Sequence, residues 1–357
     1  MSTTEVAVRR FKARDLEQFT SRVLEACGLP TADAGRVAQL MIAADLRGAD
    51  GHGIFRLPQY VRRIRAGGVN PKPAVRVLND QPATALVNGD NGMGHLAVSR
   101  AAEVAIEKAR HCGVAWVGVR NSNHAGPAAL YASMPVEHDM IGLYVAVASA
   151  NHMPPWGGVE TILGTNPIAI GVPAGEEPPV VLDMATTMTA YGKVKTYALN
   201  DKEMPAGWMI DRRGNPITDP KRAGEGFLLP IGEHKGYGLA VMIGLLAGTL
   251  NRAPFTRDVI DFNADDSSWT NTGQMILALK IENFLPVQEF KREVDANIRE
   301  IRSSERADGV DRIWLPGEQS WHRIQERTTN GIPLNPGLLK SLNDVAAGLG
   351  IEALATS

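Results

Sequence analysis

The chain has 357 residues, 44% of them hydrophobic and 21% charged, and its 37 basic and 39 acidic residues leave a formal charge of −2. This is the composition of a folded globular protein long enough for two domains. It excludes extensive disorder and offers no basic excess to attract nucleic acid. Two distant cysteines, Cys27 and Cys112, rule out a disulfide framework or a paired-cysteine metal site.

Residues 1–10 are polar and lack the apolar stretch of a signal peptide, and the longest apolar runs, 141–150 and 239–250, are too short to span a bilayer. A cytoplasmic protein without a membrane partner is expected. Helical periodicity over 15–26 stops at Gly28, and Thr31 caps a second helix that runs to about Arg47 and stops at Gly48. Two helices therefore open the chain. Gly51-His52-Gly53 leads into a helix over 58–65, two short strands fall within 75–87, and a helix over about 97–110 precedes a strand at 114–119. The polar loop 120–126 leads to another helix, and apolar strands follow at 141–148, after Gly164-Thr165-Asn166-Pro167, and at 180–182. A long connection rich in proline and glycine is expected to reach Gly232. Beyond it lie a helix over 239–250, a strand over 275–281, a charged helix over 287–302 and a last helix from about Pro336. Such alternation predicts an α/β or α+β enzyme fold.

Several segments carry chemical potential. Gly92-Met93-Gly94-His95-Leu96-Ala97 matches the dinucleotide pattern G-x-G-x-x-A between a strand and a helix, where free N–H groups could meet a pyrophosphate. The next strand ends in Arg120, however, where a ribose hydroxyl usually meets an acid. An ordinary Rossmann site here stays an alternative to a plain loop.

His52 and Arg56 are four residues apart, so a helix beginning near Gly53 would place them on adjacent turns of one face. A guanidinium that grips a carboxylate and an imidazole that moves a proton are the pair needed for chemistry on a 2-hydroxy or 2-oxo acid. A loop histidine and a surface arginine would show the same spacing. His124, in Asn121-Ser122-Asn123-His124, lies where α/β sheets collect ligands, although Asn and Ser also cap loops. Asp183 can cap the following helix, orient an imidazole, or both. Lys235, at the glycine-rich start of an apolar helix, suits either a phosphate or solvent. The other histidines lack metal-ligand spacing and no G-x-S-x-G elbow occurs, so neither a metal centre nor a serine hydrolase is expected.

Taken together, these segments resemble the type 2 malate/L-lactate dehydrogenase family, which includes ureidoglycolate, sulfolactate and diketogulonate oxidoreductases and piperideine-2-carboxylate reductases. The resemblance spans nearly the whole chain. It is carried by Ala44-Asp45-Leu46-Arg47-Gly48 running into His52-Gly53 and Arg56, by Asn121-Ser122-Asn123-His124 and by Gly164-Thr165-Asn166-Pro167. Asp183-Met184-Ala185-Thr186-Thr187 and Lys235-Gly236-Tyr237-Gly238-Leu239 complete it.

The resemblance implies an α/β, non-Rossmann fold in which 1–115 and 283–357 form a discontinuous core with dimerisation and substrate functions. Residues 116–282 would form a central nicotinamide cofactor-binding domain, within a homodimer that uses NAD or NADP. It implies further that His52 is the acid/base, Asp183 its charge partner and Arg56 the clamp on a small carboxylate-bearing substrate. His124 matches a position that is a proton acceptor in some members and a cofactor contact in others. Ser149, Thr165, Asn166, Met184, Ala185 and Lys235 match cofactor-contacting blocks, and the glycine pattern at 92–97 would be structural. The chain departs from the family at Gly51, where many members carry serine. The reaction implied is hydride transfer between nicotinamide and the 2-position of a 2-hydroxy or 2-oxo acid. The alternatives are reduction of a cyclic imino acid and a catalytically silent binding protein.

Overall fold

A strand, not a helix, comes first in the computed structural model, which describes residues 9–199 and 201–354; the polar residues 1–8 lie outside them. Strand β1 (Arg9–Phe11) pairs antiparallel with Ile332–Leu334, more than 300 residues away, a partner no local pattern could indicate. The two expected helices follow as α1 (Ala13–Ala26) and α2 (Thr31–Leu46), with Thr31 as the first helical residue after Pro30 rather than the cap. Two 3-10 turns, Asp50–His52 and Ile54–Arg56, lead into α3 (Leu57–Arg65).

The next elements in chain order are β2 (Arg76–Leu78), β3 (Thr84–Asn88), α4 (Gly94–Cys112), β4 (Val114–Ser122), α5 (Ala129–Val136) and β5 (Met140–Ala146). A small hairpin, β6 (Asn151–Met153) with β7 (Leu163–Gly164), precedes β8 (Ile168–Val172) and β9 (Val180–Met184). The segment expected to be an irregular connection instead holds α6 (Tyr191–Leu199) and the hairpin of β10 (Met209–Asp211) with β11 (Gly226–Leu228). Its order comes from a small local core, in which Val194 packs with Met204, Met209, Ile217 and Leu228. Scattered apolar residues of this kind leave no periodic trace. After α7 (His234–Ile243), which continues into a π-turn and a 3-10 turn rather than an uninterrupted helix, come β12 (Thr272–Lys280) and α8 (Val287–Ser303). The chain closes with α9 (Glu318–Asn330), β13 (Ile332–Leu334) and α10 (Pro336–Leu349).

Seven strands form one mixed sheet in the order β2-β3-β4-β12-β5-β8-β9. Only β3 and β4 run parallel, with α4 as their crossover; the other neighbours are antiparallel. Strand β12 inserts between β4 and β5, and an alanine-rich stripe of α4 (Ala97, Ala101, Ala105, Ala109) lets that helix lie close over Val87, Val117, Val119 and Ile276. A second apolar core joins the two ends of the chain: Leu16, Phe19 and Val23 of α1 and Met41 of α2 pack with Leu334 and with Leu339, Leu342 and Ala346 of α10. The turns at 50–56 follow α2, and Ile54 is buried in this second core.

Candidate active site

The conformation of the segment around His52 is set by a buried acid. Asp45, near the end of α2 and 2% exposed, accepts a hydrogen bond from the Ile54 N–H at 2.8 Å. Its carboxyl lies so close to Gly53 that a Cβ there would stand 2.1 Å from Oδ1, so residue 53 must be glycine. Burial pushes the Asp45 carboxyl up to about 8. Arg327 of α9 bonds to the Asp45 carbonyl and to the Asp50 carboxylate, fixing the turn from the other side.

His52, Arg56 and Tyr60 follow at four-residue spacing and turn toward one region despite the 3-10 geometry. The His52 Nδ1 lies 3.1 Å from the His124 Nε2, and the His124 Nδ1 lies 2.6 Å from the Tyr60 hydroxyl. The two imidazoles are parallel to within 7°, and His124 stacks in turn on Phe262 with centroids 5.0 Å apart.

The His124 loop is held by Asn123, whose amide nitrogen donates to the Asn91 and Gly92 carbonyls and whose Oδ1 accepts from the Thr270 hydroxyl. This packing explains the glycine pattern at 92–97. A Cβ at Gly94 would lie 2.0 Å from the Asn123 carbonyl oxygen and 2.7 Å from that of His124, so close packing against the His124 loop requires glycine there. Gly94→Ala is therefore expected to cost about 1–3 kcal/mol, a few degrees in Tm, through overpacking. Calorimetry checks this; an unchanged Tm with lost cofactor binding would restore the Rossmann reading of the motif.

Arg56 is half-buried and points its Nε at the Gly51 carbonyl (2.8 Å) and one terminal nitrogen at the Gln59 and Asn263 side-chain oxygens (2.8 and 3.3 Å). Its guanidinium stands over the Phe262 ring at 5.3 Å. Among the described residues no carboxylate pairs with it. Burial, followed by the Arg56 charge, brings His52 down to about 4, and burial with the charges of His52 and Arg56 holds His124 well below the usual imidazole range. Both rings are neutral at pH 7. Burial raises the Tyr60 phenol, which keeps its proton.

A cavity of about 540 Å³ opens beside these groups, and His52, Arg56, His124, Ser149, Thr165, Asp183, Met184 and Ala185 all line it. Asp183, the penultimate residue of β9, accepts from the Ala129 N–H at 2.8 Å, and desolvation by the surrounding protein raises its carboxyl to about 6. Its hydrogen bond goes to that amide, and the His52 ring is bonded to His124 instead. Asn166 lies behind the wall, fully buried, where it accepts from the Ala148 N–H and donates to the Ala240 carbonyl. Lys235 is exposed at the start of α7 and does not line the cavity. Gly51 does, and a Cβ there would meet nothing within 4 Å, so the hydroxyl missing from this chain would have found room.

Tyr60, Phe262, Asn263, Lys195 and the stacked pair His152–Tyr191 are cavity or relay residues not singled out from the sequence. For Tyr60 a signal existed, since it continues the four-residue spacing of His52 and Arg56. Phe262 and Asn263 sit in an irregular segment whose approach to Arg56 depends on the whole fold.

The family model described as malate/L-lactate dehydrogenase matches residues 11–343. The chain is 39% identical over 350 residues to the malate dehydrogenase of Pyrococcus horikoshii, covering 95% of each, and 38% identical over 330 residues to the L-sulfolactate dehydrogenase of Methanocaldococcus jannaschii, covering 92% and 94%. Among solved structures, the malate dehydrogenase from Entamoeba histolytica superposes with a TM-score of 0.93 at 30% identity over 97% of this chain and 99% of that one.

Proposed function

The chain belongs to the malate/L-lactate dehydrogenase family, and from that premise we propose that it transfers hydride between NAD or NADP and the 2-carbon of a small 2-hydroxy or 2-oxo acid. It is an oxidoreductase acting on CH–OH groups. The observation that carries the proposed site is Arg56: a half-buried guanidinium with no carboxylate partner among the described residues, beside a neutral imidazole, on a cavity of small-molecule size. A substrate carboxylate would occupy its free donors. The two named relatives act on malate and on L-sulfolactate, each of which has a carboxylate next to the reacting carbon.

In this reading His52 is the acid/base, and its partners set which nitrogen carries the proton. The Gly126 N–H points at the His124 Nδ1 at 3.4 Å, as does the protonated Tyr60 hydroxyl, so that nitrogen accepts and Nε2 carries the hydrogen. His124 then donates to the His52 Nδ1, which leaves the His52 Nε2–H, bonded to no described residue, free to meet a substrate oxygen; the proton given up in reduction is that of the imidazolium, which a substrate carboxylate favours by offsetting the Arg56 charge. Asp183 lines the same cavity, as does Asp50, and is the charge partner in this reading, without a hydrogen bond to His52. Tyr60→Phe is expected to lower kcat about tenfold, the size of one hydrogen bond, with KM nearly unchanged. Steady-state kinetics check this, and an unaltered kcat would remove Tyr60 from the relay.

The lining suits a nicotinamide: Ala146, Pro167, Met184 and Ala185 offer an apolar wall, and Ser149, Thr165 and Gln274 offer polar groups for the carboxamide. When bound, the cofactor supplies or takes the hydride. Asn166 is the strut beneath that wall, and Lys235 serves the part of the dinucleotide beyond the cavity.

A non-Rossmann fold and a division into 1–115 with 283–357 and a central 116–282 belong to the same proposal. The predominantly antiparallel sheet supports the non-Rossmann fold and the shared core of α1, α2 and α10 supports the joining of the two ends, while β2 and β3 of the N-terminal part lie in the same sheet as the central segment. A homodimer completes it. The test is an absorbance assay of reduced nicotinamide with both cofactors against 2-oxo acids and cyclic imino acids. Turnover of a 2-oxo acid is expected; activity with imino acids alone would overturn the proposal.

A further inference from the structure

Arg56 is not the only cation on the cavity without an acidic partner. Lys195, in α6, lines the same space, and among the described residues its ammonium forms no ion pair; its recorded contact is with the face of Tyr191, 5.6 Å from the ring centroid. Lys193 lines the cavity too, its ammonium 5.0 Å from the centroid of the Trp208 ring, but the Arg56 charge is felt at Lys195.

No group around Lys195 forms an ion pair with it among the described residues. Tyr191 stacks flat on His152 with centroids 4.0 Å apart, and burial brings that imidazole down to about 4, so it is uncharged at pH 7. Asp261 is the acid whose field reaches Lys195 and favours its charged form, but no ion pair joins the two, and burial and the Arg56 charge outweigh it. The Arg56 charge is close enough to lower the Lys195 proton affinity. Two positive groups that repel each other while sharing one small cavity are best relieved by a ligand that brings a negative charge to each.

We propose that Lys195 binds a second acidic group on the substrate, a carboxylate or sulfonate one carbon beyond the reacting centre, so that 2-hydroxy and 2-oxo diacids are preferred over monoacids. The inference rests on the dehydrogenase reading above, with Arg56 holding the first carboxylate. The same ammonium could instead meet a phosphate of the cofactor, and the experiment separates the two.

Initial rates are measured for the wild type, Lys195→Met and Lys195→Arg with oxaloacetate and with pyruvate, along with the KM for the cofactor. The wild type is expected to prefer oxaloacetate. In Lys195→Met the ratio of kcat/KM for oxaloacetate to that for pyruvate should fall about tenfold to a hundredfold, the loss of one charge-assisted hydrogen bond, and Lys195→Arg should retain most of it. An equal loss for both acids, a wild-type preference for pyruvate, or a raised KM for the cofactor alone would overturn the assignment of Lys195 and leave the dehydrogenase reading intact. Turnover of neither acid by the wild type would overturn both.

Discussion

With His52 replaced by alanine, kcat should fall about 10²- to 10⁴-fold, the usual share of a positioned acid/base, with little change in affinity for the nicotinamide cofactor. The two effects separate because the imidazole faces the substrate side of the cavity, where its Nε2 is bonded to no described residue, and the proposed nicotinamide wall is built from other side chains. Rates measured in both directions, with a fluorescence titration of reduced cofactor, decide the point. An alanine variant with wild-type kcat would remove His52 from the mechanism and pass the role to His124, the next ring in the hydrogen-bonded chain.

The pH profile supplies an independent reading. Oxidation of the hydroxy acid requires an uncharged base, and His52 is held down to about 4 in the free protein. Its uncharged form is therefore present throughout the neutral range, and the base is the tautomer with hydrogen on Nδ1, which donates to the His124 Nε2 and leaves Nε2 bare. The limb of kcat/KM that reports this group should appear only as pH falls through about 4, well below the ordinary imidazole value.

Arg56→Met is expected to lower kcat/KM about 30- to 5,000-fold, corresponding to about 2–5 kcal/mol for removing one partner of a buried, hydrogen-bonded charge pair. Most of the loss should appear in KM if the guanidinium grips the carboxylate equally in ground and transition states. Arg56→Lys should recover little, because an ammonium cannot reproduce the planar fork that holds a carboxylate while Nε stays on the Gly51 carbonyl.

The same variant moves His52. Burial is the larger cause of its depression and Arg56 the second, so removing the cation raises the imidazole part of the way toward its ordinary value and shifts the acid limb upward. A substrate carboxylate seated on Arg56 acts in the same direction, which couples binding of the acid to proton uptake by His52. Unchanged kcat/KM in Arg56→Met, with an unmoved acid limb, would show that the carboxylate is held elsewhere. A Tm measurement guards against misreading a loosened loop, since the Nε bond also anchors the turn that carries His52.

What the sequence determined by itself is the set of chemical groups and most of the regular elements. Long periodic or apolar runs such as α4, β5, β12 and α8 were legible because hydrophobic spacing encodes them locally. The blocks around His52, His124, Thr165 and Asp183 could be picked out as short polar or glycine-bearing insertions between apolar runs. Tertiary structure alone decided which of these groups meet. Short elements such as β1, paired with a strand more than 300 residues away, and α6, packed into a small local core, form against partners outside themselves, and their own residues carry no sufficient pattern.

The site follows the same rule. His52 and His124 are 72 residues apart and Arg56 and Asn263 are 207 apart. Their contact depends on the insertion of β12 between β4 and β5 and on the closing of the chain's two ends into one core. The altered acidity of His52 and Asp183 belongs to that level too, since desolvation and the field of a neighbouring charge exist only once the chain has buried those groups.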